Sequence, residues 1–150
     1  MFEIILINLI GTQPTAKVTD KTIERIINRD FGNRADEVKQ KLKQVISDTK
    51  NVKNRIAAAI IKLSNKDIKA IDHYIAVSNN DSRDVFAQAE YPRCSKLEFI
   101  EMEEQNMKPI YLDDWKEYTN WINKLDKQMR AHLNRRENEL PTNICADIGG

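Results

Sequence analysis

One stretch near the middle of the chain, Arg55–Leu63, constrains the fold more than any other. It reads Arg-Ile-Ala-Ala-Ala-Ile-Ile-Lys-Leu, so the residues from Ile56 to Ile61 are all apolar. Alanine is the strongest helix former, and a helix that is apolar on every side belongs inside a core. The consecutive alanines leave room for neighbouring helices to approach closely. We predict a buried central helix, with the Lys62 stem along apolar surface and its ammonium group in water.

The composition favours further helices around this one. The chain of 150 residues has only 4 glycines and 4 prolines, and 41% of it is hydrophobic against 31% charged. A β-sandwich needs more turn residues, and a disordered chain has fewer apolar residues. We predict an all-α fold, a single globular bundle of six or seven helices around the Ala/Ile-rich helix. A domain of this length needs neither a metal nor a disulfide for its stability.

Apolar residues at helical spacing, separated by capping residues, set the expected boundaries of the helices. We place residues 1–150 in one domain: an N-terminal apolar segment and loop over 1–18, a helical core over 19–138, and a loose tail over 139–150. Ser64 is the expected cap of the fourth helix, Pro109 an expected break, and Asp113 or Asp114 the expected cap of the last helix. The predicted helices run over about 20–31, 35–47, 51–64, 68–78, 82–91, 95–107 and 113–137.

The first ten residues, Met1–Ile10, are mostly apolar but are far too few to span a membrane. We expect a short strand or a docked apolar tail, with a signal peptide and a misassigned translation start as open alternatives. Cys94 and Cys145 lie far apart in the sequence, without a CxxC motif. This favours a reduced, cytoplasmic protein that contacts no membrane.

The residues suited to catalysis do not form a recognisable set. His73 falls on a polar helix face, so we expect it to be a solvated surface residue. His132 falls at the edge of an apolar stripe, so we expect it to pack against the core or to contact a partner. Arg93 beside Cys94 would favour a thiolate, but no local base accompanies it. The sequence predicts no catalytic residue and no cofactor, and an enzyme with a site invisible in the sequence stays open.

The acidic residues have ordinary helical explanations. Asp81 and Asp84 are spaced as capping residues and lack the glycine-containing calcium-loop pattern. The run of Glu98, Glu101, Glu103 and Glu104 is typical of a solvated helix face. We therefore predict no metal site.

Basic residues are concentrated in one region, from Lys17 to Arg55, which has 11 Lys or Arg against 6 Asp or Glu. Such a surface suits phosphates, although a nucleic-acid interface usually has a denser basic stripe. Nucleic-acid binding is therefore an alternative function rather than the favoured one. Its candidate contacts are Lys39, Lys41, Lys43 and Lys50.

The last predicted helix has an apolar seam, which is the candidate partner surface. Its residues alternate in spacings of three and four, as in a heptad pattern, and it includes both tryptophans. Either the seam packs onto the helical core, or its C-terminal half protrudes and pairs with another protein or a second copy of the chain. The candidate residues are Trp115, Tyr118, Trp121, Ile122, Leu125, Met129 and His132.

These observations favour a non-enzymatic protein that acts by binding another protein. A small regulator, an adaptor or an immunity-type inhibitor would all fit. The expected partner is another protein or a second copy in a homodimer. The alternatives are a nucleic-acid binder and an enzyme.

Overall fold

The computed structural model describes residues 16–97 and 104–138. The predicted all-α fold is confirmed, since this part of the chain forms seven α-helices and no strand. The predicted N-terminal strand or tail over 1–10 and the loose tail over 139–150 lie outside the described residues. The helices are α1 (Asp20–Phe31), α2 (Ala35–Leu42), α3 (Lys50–Ser64), α4 (Ile68–Asn80), α5 (Ser82–Glu90), α6 (Glu104–Asn123) and α7 (Lys127–Asn138).

Helix α3 is the centre of the bundle, as its composition predicts. Every residue from Ile56 to Ile61 is buried, and α3 packs against α1, α4 and α5. Thr49 caps its start by accepting a hydrogen bond from the backbone N–H of Val52. Asn65 ends it in the left-handed conformation, which asparagine adopts more readily than most residues. The alanines keep the facing helices close because they place almost no side-chain volume between the backbones.

Helix α2 is shorter than predicted. It ends at Leu42 instead of Ser47, and a run of tight turns follows it. Asn79 of α4 fixes these turns, since its amide donates to Gln44 O at 3.0 Å and accepts from Ile46 N at 2.9 Å. Ile46 lies in these turns instead of on a helix, and it is 73% exposed.

The cap of α4 also differs from the prediction. Asp67, rather than Ser64, accepts the N-terminal hydrogen bond of this helix, from Lys69 N. Ser64 is buried at the end of α3 and donates to Ile61 O. Asp81 caps α5 as predicted, by accepting from Arg83 N.

The predicted helix over 95–107 is wrong at its beginning, whereas residues 104–107 are helical as predicted and form the first turn of α6. Residues Cys94–Lys96 form one turn of 3-10 helix, and Leu97 is extended. Residues 98–103, including most of the acidic run, lie outside the described part of the chain. The predicted break at Pro109 is also wrong, because Pro109 lies inside α6. A proline within a helix removes one backbone donor, and tertiary packing around Met107, Tyr111 and Tyr118 outweighs that loss here.

The predicted helix over 113–137 is two helices that meet at Lys124–Asp126. Asp113 and Asp114, its expected caps, lie well inside α6. None of the helices in the described residues is both long enough and apolar enough to cross a bilayer.

Candidate partner-binding surface

The structure divides the candidate partner surface into a buried half and an exposed half. Tyr118 is 0% and Ile122 is 6% exposed, so both belong to the core, in agreement with the alternative in which the seam packs onto the helical bundle. Trp115 and Trp121 are partly buried against the same core. Leu125 is half-buried at the break. Of the seven candidates, only Met129 and His132 are exposed.

A ladder of aromatic rings fixes α6 against the bundle. Tyr111 stacks on Tyr91 with ring centroids 5.1 Å apart, and Tyr91 stacks on Trp115 at 6.0 Å. The series continues through Tyr118 to Trp121. Aromatic pairs at these distances add to the stabilisation from burial. The first half of the heptad seam is therefore occupied within the chain.

Two arginines of α1 mark the point where α6 ends. Arg25 donates to Ile122 O at 2.7 Å and to Lys124 O at 3.1 Å. Arg29 donates to Trp121 O at 2.6 Å and to Lys124 O at 3.0 Å, and its guanidinium lies 5.0 Å from the Trp121 ring centroid. Carbonyls at a helix C-terminus lack intrahelical partners, and cations are favourable there.

Helix α7 follows this end and is the most exposed helix of the fold. Asp126 caps it by accepting from Met129 N at 2.6 Å. All side chains described within it, from Met129 to Arg136, are exposed. Met129 is 40% and Leu133 44% exposed. They lie one helical turn apart on the same face.

The charge of α7 is of one sign over most of its length. The segment 127–136 contains Lys127, Arg130, Arg135 and Arg136 and no carboxylate. The heptad seam did not include Leu133 or these cations. The signals that identify them are the spacing of Met129 and Leu133 and the absence of acidic residues in this segment.

Three of the four candidate nucleic-acid contacts lie beside carboxylates. Lys41 is 2.6 Å from Asp72, and Lys50 pairs with Asp20. Lys39 lies 3.6 Å from Glu24 and 3.5 Å from Asp36. Lys43 is exposed. These ion pairs reduce the positive potential that phosphates would meet.

Within the described ranges, the residues suited to catalysis are not brought together. His73 is exposed, as expected, with its ring against Tyr74, and His132 lies on α7. Cys94 is buried, and burial, together with the charge of Asp114, raises the pKa of its thiol to about 11. The Arg93 guanidinium, expected to favour a thiolate, instead pairs with Asp114 at 2.6 Å. Cys94 is therefore a poor nucleophile at neutral pH.

A buried ion pair at the core is the polar feature that sequence reasoning missed. Glu90 is 0% exposed, and Arg55 donates to both of its carboxylate oxygens, at 2.7 and 2.6 Å. The Arg55 guanidinium also lies 3.9 Å from the Phe86 ring centroid. Burial alone would lower the pKa of Arg55, but the hydrogen bonds and charge of Glu90 leave this pKa raised. Helical spacing places Glu90 beside Phe86, but it does not indicate which charges are paired.

Lys62 differs from the prediction in the same region. Its ammonium group donates to Ala89 O at 2.8 Å rather than lying in water, and burial lowers the pKa of this group. The ammonium is also 5.2 Å from the ring centroid of Tyr118. This polar contact and the Arg55–Glu90 pair join α3 to α5.

A cavity of about 430 Å³ lies between the start of α1 and the start of α3. Among the described residues that line it, Lys17 and Arg55 are charged and none is a carboxylate, histidine or cysteine. Within the described residues, no group of three or more His, Cys, Asp or Glu side chains is arranged to hold a metal ion.

No protein-family model, curated protein or solved structure matches this chain.

Proposed function

We propose that this chain is a non-enzymatic binding protein, and that α7 is the element by which it contacts another protein. The observation that carries this proposal is the exposure of every described side chain of α7, with Met129 and Leu133 on one face. An isolated helix of about 12 residues is marginal in water, and most helices in proteins depend on packing of an amphipathic face. A partner that covers this face would supply that packing. A regulator, an adaptor or an immunity-type inhibitor would use such a surface.

The chemistry of α7 indicates what kind of protein it fits. Burying the exposed parts of Met129 (40%) and Leu133 (44%) would contribute roughly 1 kcal/mol each before the costs of association. Arg130, Arg135 and Arg136 lie within the same two turns of α7 as this pair. The complementary surface is an apolar groove edged by carboxylates, which would receive α7 in the helix-in-groove manner. A second copy fits less well, since two α7 helices packed together would bring cations of like sign together.

The test compares two aspartate variants at neighbouring positions of α7. Leu133→Asp places a charge on the apolar face, whereas Asn134→Asp introduces the same charge away from it. We expect the wild type and Asn134→Asp to retain the same partner from an extract of the native host. Leu133→Asp should lose it, because the apolar face can no longer be desolvated without cost. The retained protein is then identified by mass spectrometry and purified. In calorimetry it should bind the wild type and Asn134→Asp with similar affinity and Leu133→Asp much more weakly.

Three other outcomes would contradict the proposal that α7 contacts another protein. If both variants keep the partner, α7 is not the contact surface. If light scattering showed that the wild type is a dimer and Leu133→Asp a monomer, the partner of α7 would be a second copy of this chain and not a different protein. Salt-sensitive retention of DNA or RNA that is lost on replacing the lysines of 39–50 would favour the nucleic-acid alternative. Circular dichroism of each variant checks that the fold is intact.

A further inference from the structure

The local sequence explains the break between α6 and α7 only in part, because Asp126 caps the start of α7. Neither glycine nor proline occurs from Tyr111 to Leu140. The residues at the break are Lys124, Leu125 and Asp126, and lysine and leucine are good helix formers. Asp126 accounts for the beginning of α7, but no glycine or proline accounts for the end of α6, so the end of α6 calls for a tertiary explanation.

The arginines of α1 supply that explanation. In a continuous helix the carbonyls of Trp121, Ile122 and Lys124 would accept from the amides four residues later. In this structure all three carbonyls accept from Arg25 or Arg29, in four hydrogen bonds of 2.6–3.1 Å. Arg29 is held in place by Asp30, whose carboxylate accepts from its Nε at 2.8 Å.

We infer that Arg25 and Arg29 form a latch that separates α6 from α7, and that release of this latch joins the two into one helix. This inference rests on the proposed function of α7, because it concerns the orientation of that surface. In the joined helix, Leu125, Met129 and His132 would continue the seam of Trp115, Tyr118 and Ile122. A carboxylate at the edge of the partner's groove could compete for Arg25, which is only half-buried. Binding of the partner to α7 and release of the arginine latch would then be coupled.

The energetic balance makes such a change feasible. The described side chains of α7 are exposed, so its reorientation disrupts little packing. The carbonyls that lose the arginines regain backbone donors, so no buried acceptor is left without a partner. The latched and joined arrangements then differ mainly by the hydrogen bonds of two guanidinium groups and by the Asp126 cap on Met129 N.

The experiment removes the latch and observes the break directly, without any partner. The variants are Arg25→Gln, the double variant Arg25→Gln with Arg29→Gln, and the control Arg34→Gln, whose arginine pairs with Glu37 on the surface. In the double variant, the NMR Cα shifts of residues 124–126 should move to helical values. Arg25→Gln, which loses two of the four bonds, should move them less and in the same direction. Arg34→Gln should leave them at the wild-type values.

A distance measurement gives an independent readout. Spin labels at Lys116→Cys and Arg135→Cys, with Cys145 replaced by serine, span the break from two exposed sites. In one straight helix their Cα atoms are about 28 Å apart. The double variant should move the label separation to that value from the wild-type one. The inference would be wrong if the Cα shifts of residues 124–126 stayed unchanged or moved towards coil values in Arg25→Gln or in the double variant. Such a result would leave the Leu133→Asp binding test unaffected.

Discussion

At the scale of single residues, the Arg55–Glu90 pair is the feature with the largest energetic consequence. A buried carboxylate is costly unless it is paired and hydrogen-bonded, and Glu90 receives both oxygen contacts from one guanidinium. The pair also lies against Phe86, so the aromatic ring and the ion pair share one site between α3 and α5. Losing either partner alone leaves an uncompensated charge in the core.

We expect Glu90→Ala to lower the free energy of unfolding by roughly 3–5 kcal/mol, because it leaves Arg55 buried without a counter-charge. The double variant Arg55→Met with Glu90→Leu should recover most of this loss, since neither side chain then carries a charge. Urea denaturation of the single and double variants measures both effects. A double variant that is less stable than Glu90→Ala would show that Arg55 and Glu90 stabilise the fold by more than neutralising each other's buried charge.

At the scale of elements, a helix end fixed by a neighbouring side chain can be predicted from the sequence, whereas one fixed by a distant residue cannot. Thr19 and Asp81 cap their helices through side chains that lie next to them in the sequence, and Thr49 does the same for α3. The end of α2 depends instead on Asn79, and the end of α6 on arginines of α1. Those partners are separated by at least 33 residues from the backbone groups they contact, so no local pattern reveals them.

The seam shows the same distinction between pattern and partner. Its spacing correctly indicates an apolar face on α6, and Ile122 and Tyr118 are buried. Spacing does not tell whether a face is covered by the same chain or by another. Leu133 and the cations of α7 were not predicted as contact residues, because they do not fall at the a and d positions of the heptad pattern.

Asn79 offers a test of tertiary control over the end of α2. Asn79→Ala should lower the free energy of unfolding by roughly 1–3 kcal/mol, because two hydrogen bonds to the turn after α2 are lost. Asn80→Ala, at the adjacent exposed position, should cost under about 0.5 kcal/mol. Chemical denaturation compares the two. Equal losses would mean that the turn is determined by its own sequence.

At the scale of the whole molecule, the described fold consists of a bundle built on α3 and an outlying helix α7. Two clusters of buried residues make up the bundle, and Trp115 packs against both. The second cluster contains Tyr91, Cys94, Met107 and Tyr111, three of which titrate at alkaline pH. The stability of the whole bundle is therefore linked to proton loss from this cluster.

We expect the free energy of unfolding to fall as the pH rises from 9 to 11. The pKa of Cys94 is raised from 9.0 to about 11 by burial, so the folded chain keeps this proton while the unfolded chain loses it. This contribution is complete below pH 9 and is lost as the pH approaches 11. The raised pKa values of Tyr91 and Tyr118 act in the same direction above pH 10, whereas the lowered pKa of Lys62 opposes them.

The measurement is urea denaturation at several pH values from 8 to 11. Cys94→Ala should show a shallower decline than the wild type between pH 9 and 11. Ser95→Ala, which removes a neighbouring group that does not titrate in this range, should decline as the wild type does. Identical slopes for the wild type and Cys94→Ala would refute the assignment to this thiol.

The three alanines of α3 have a consequence for how this protein can diverge. Ala58 and Ala59 are fully buried and Ala57 nearly so, at positions where other helices approach the backbone of α3. A larger side chain there would push apart the helices packed on α3, because a close-packed interior cannot absorb the added volume. Descendants of this sequence should therefore accept substitutions at exposed positions away from Met129 and Leu133 long before they accept one at Ala58, because such substitutions disturb neither the close packing of the core nor the proposed contact surface.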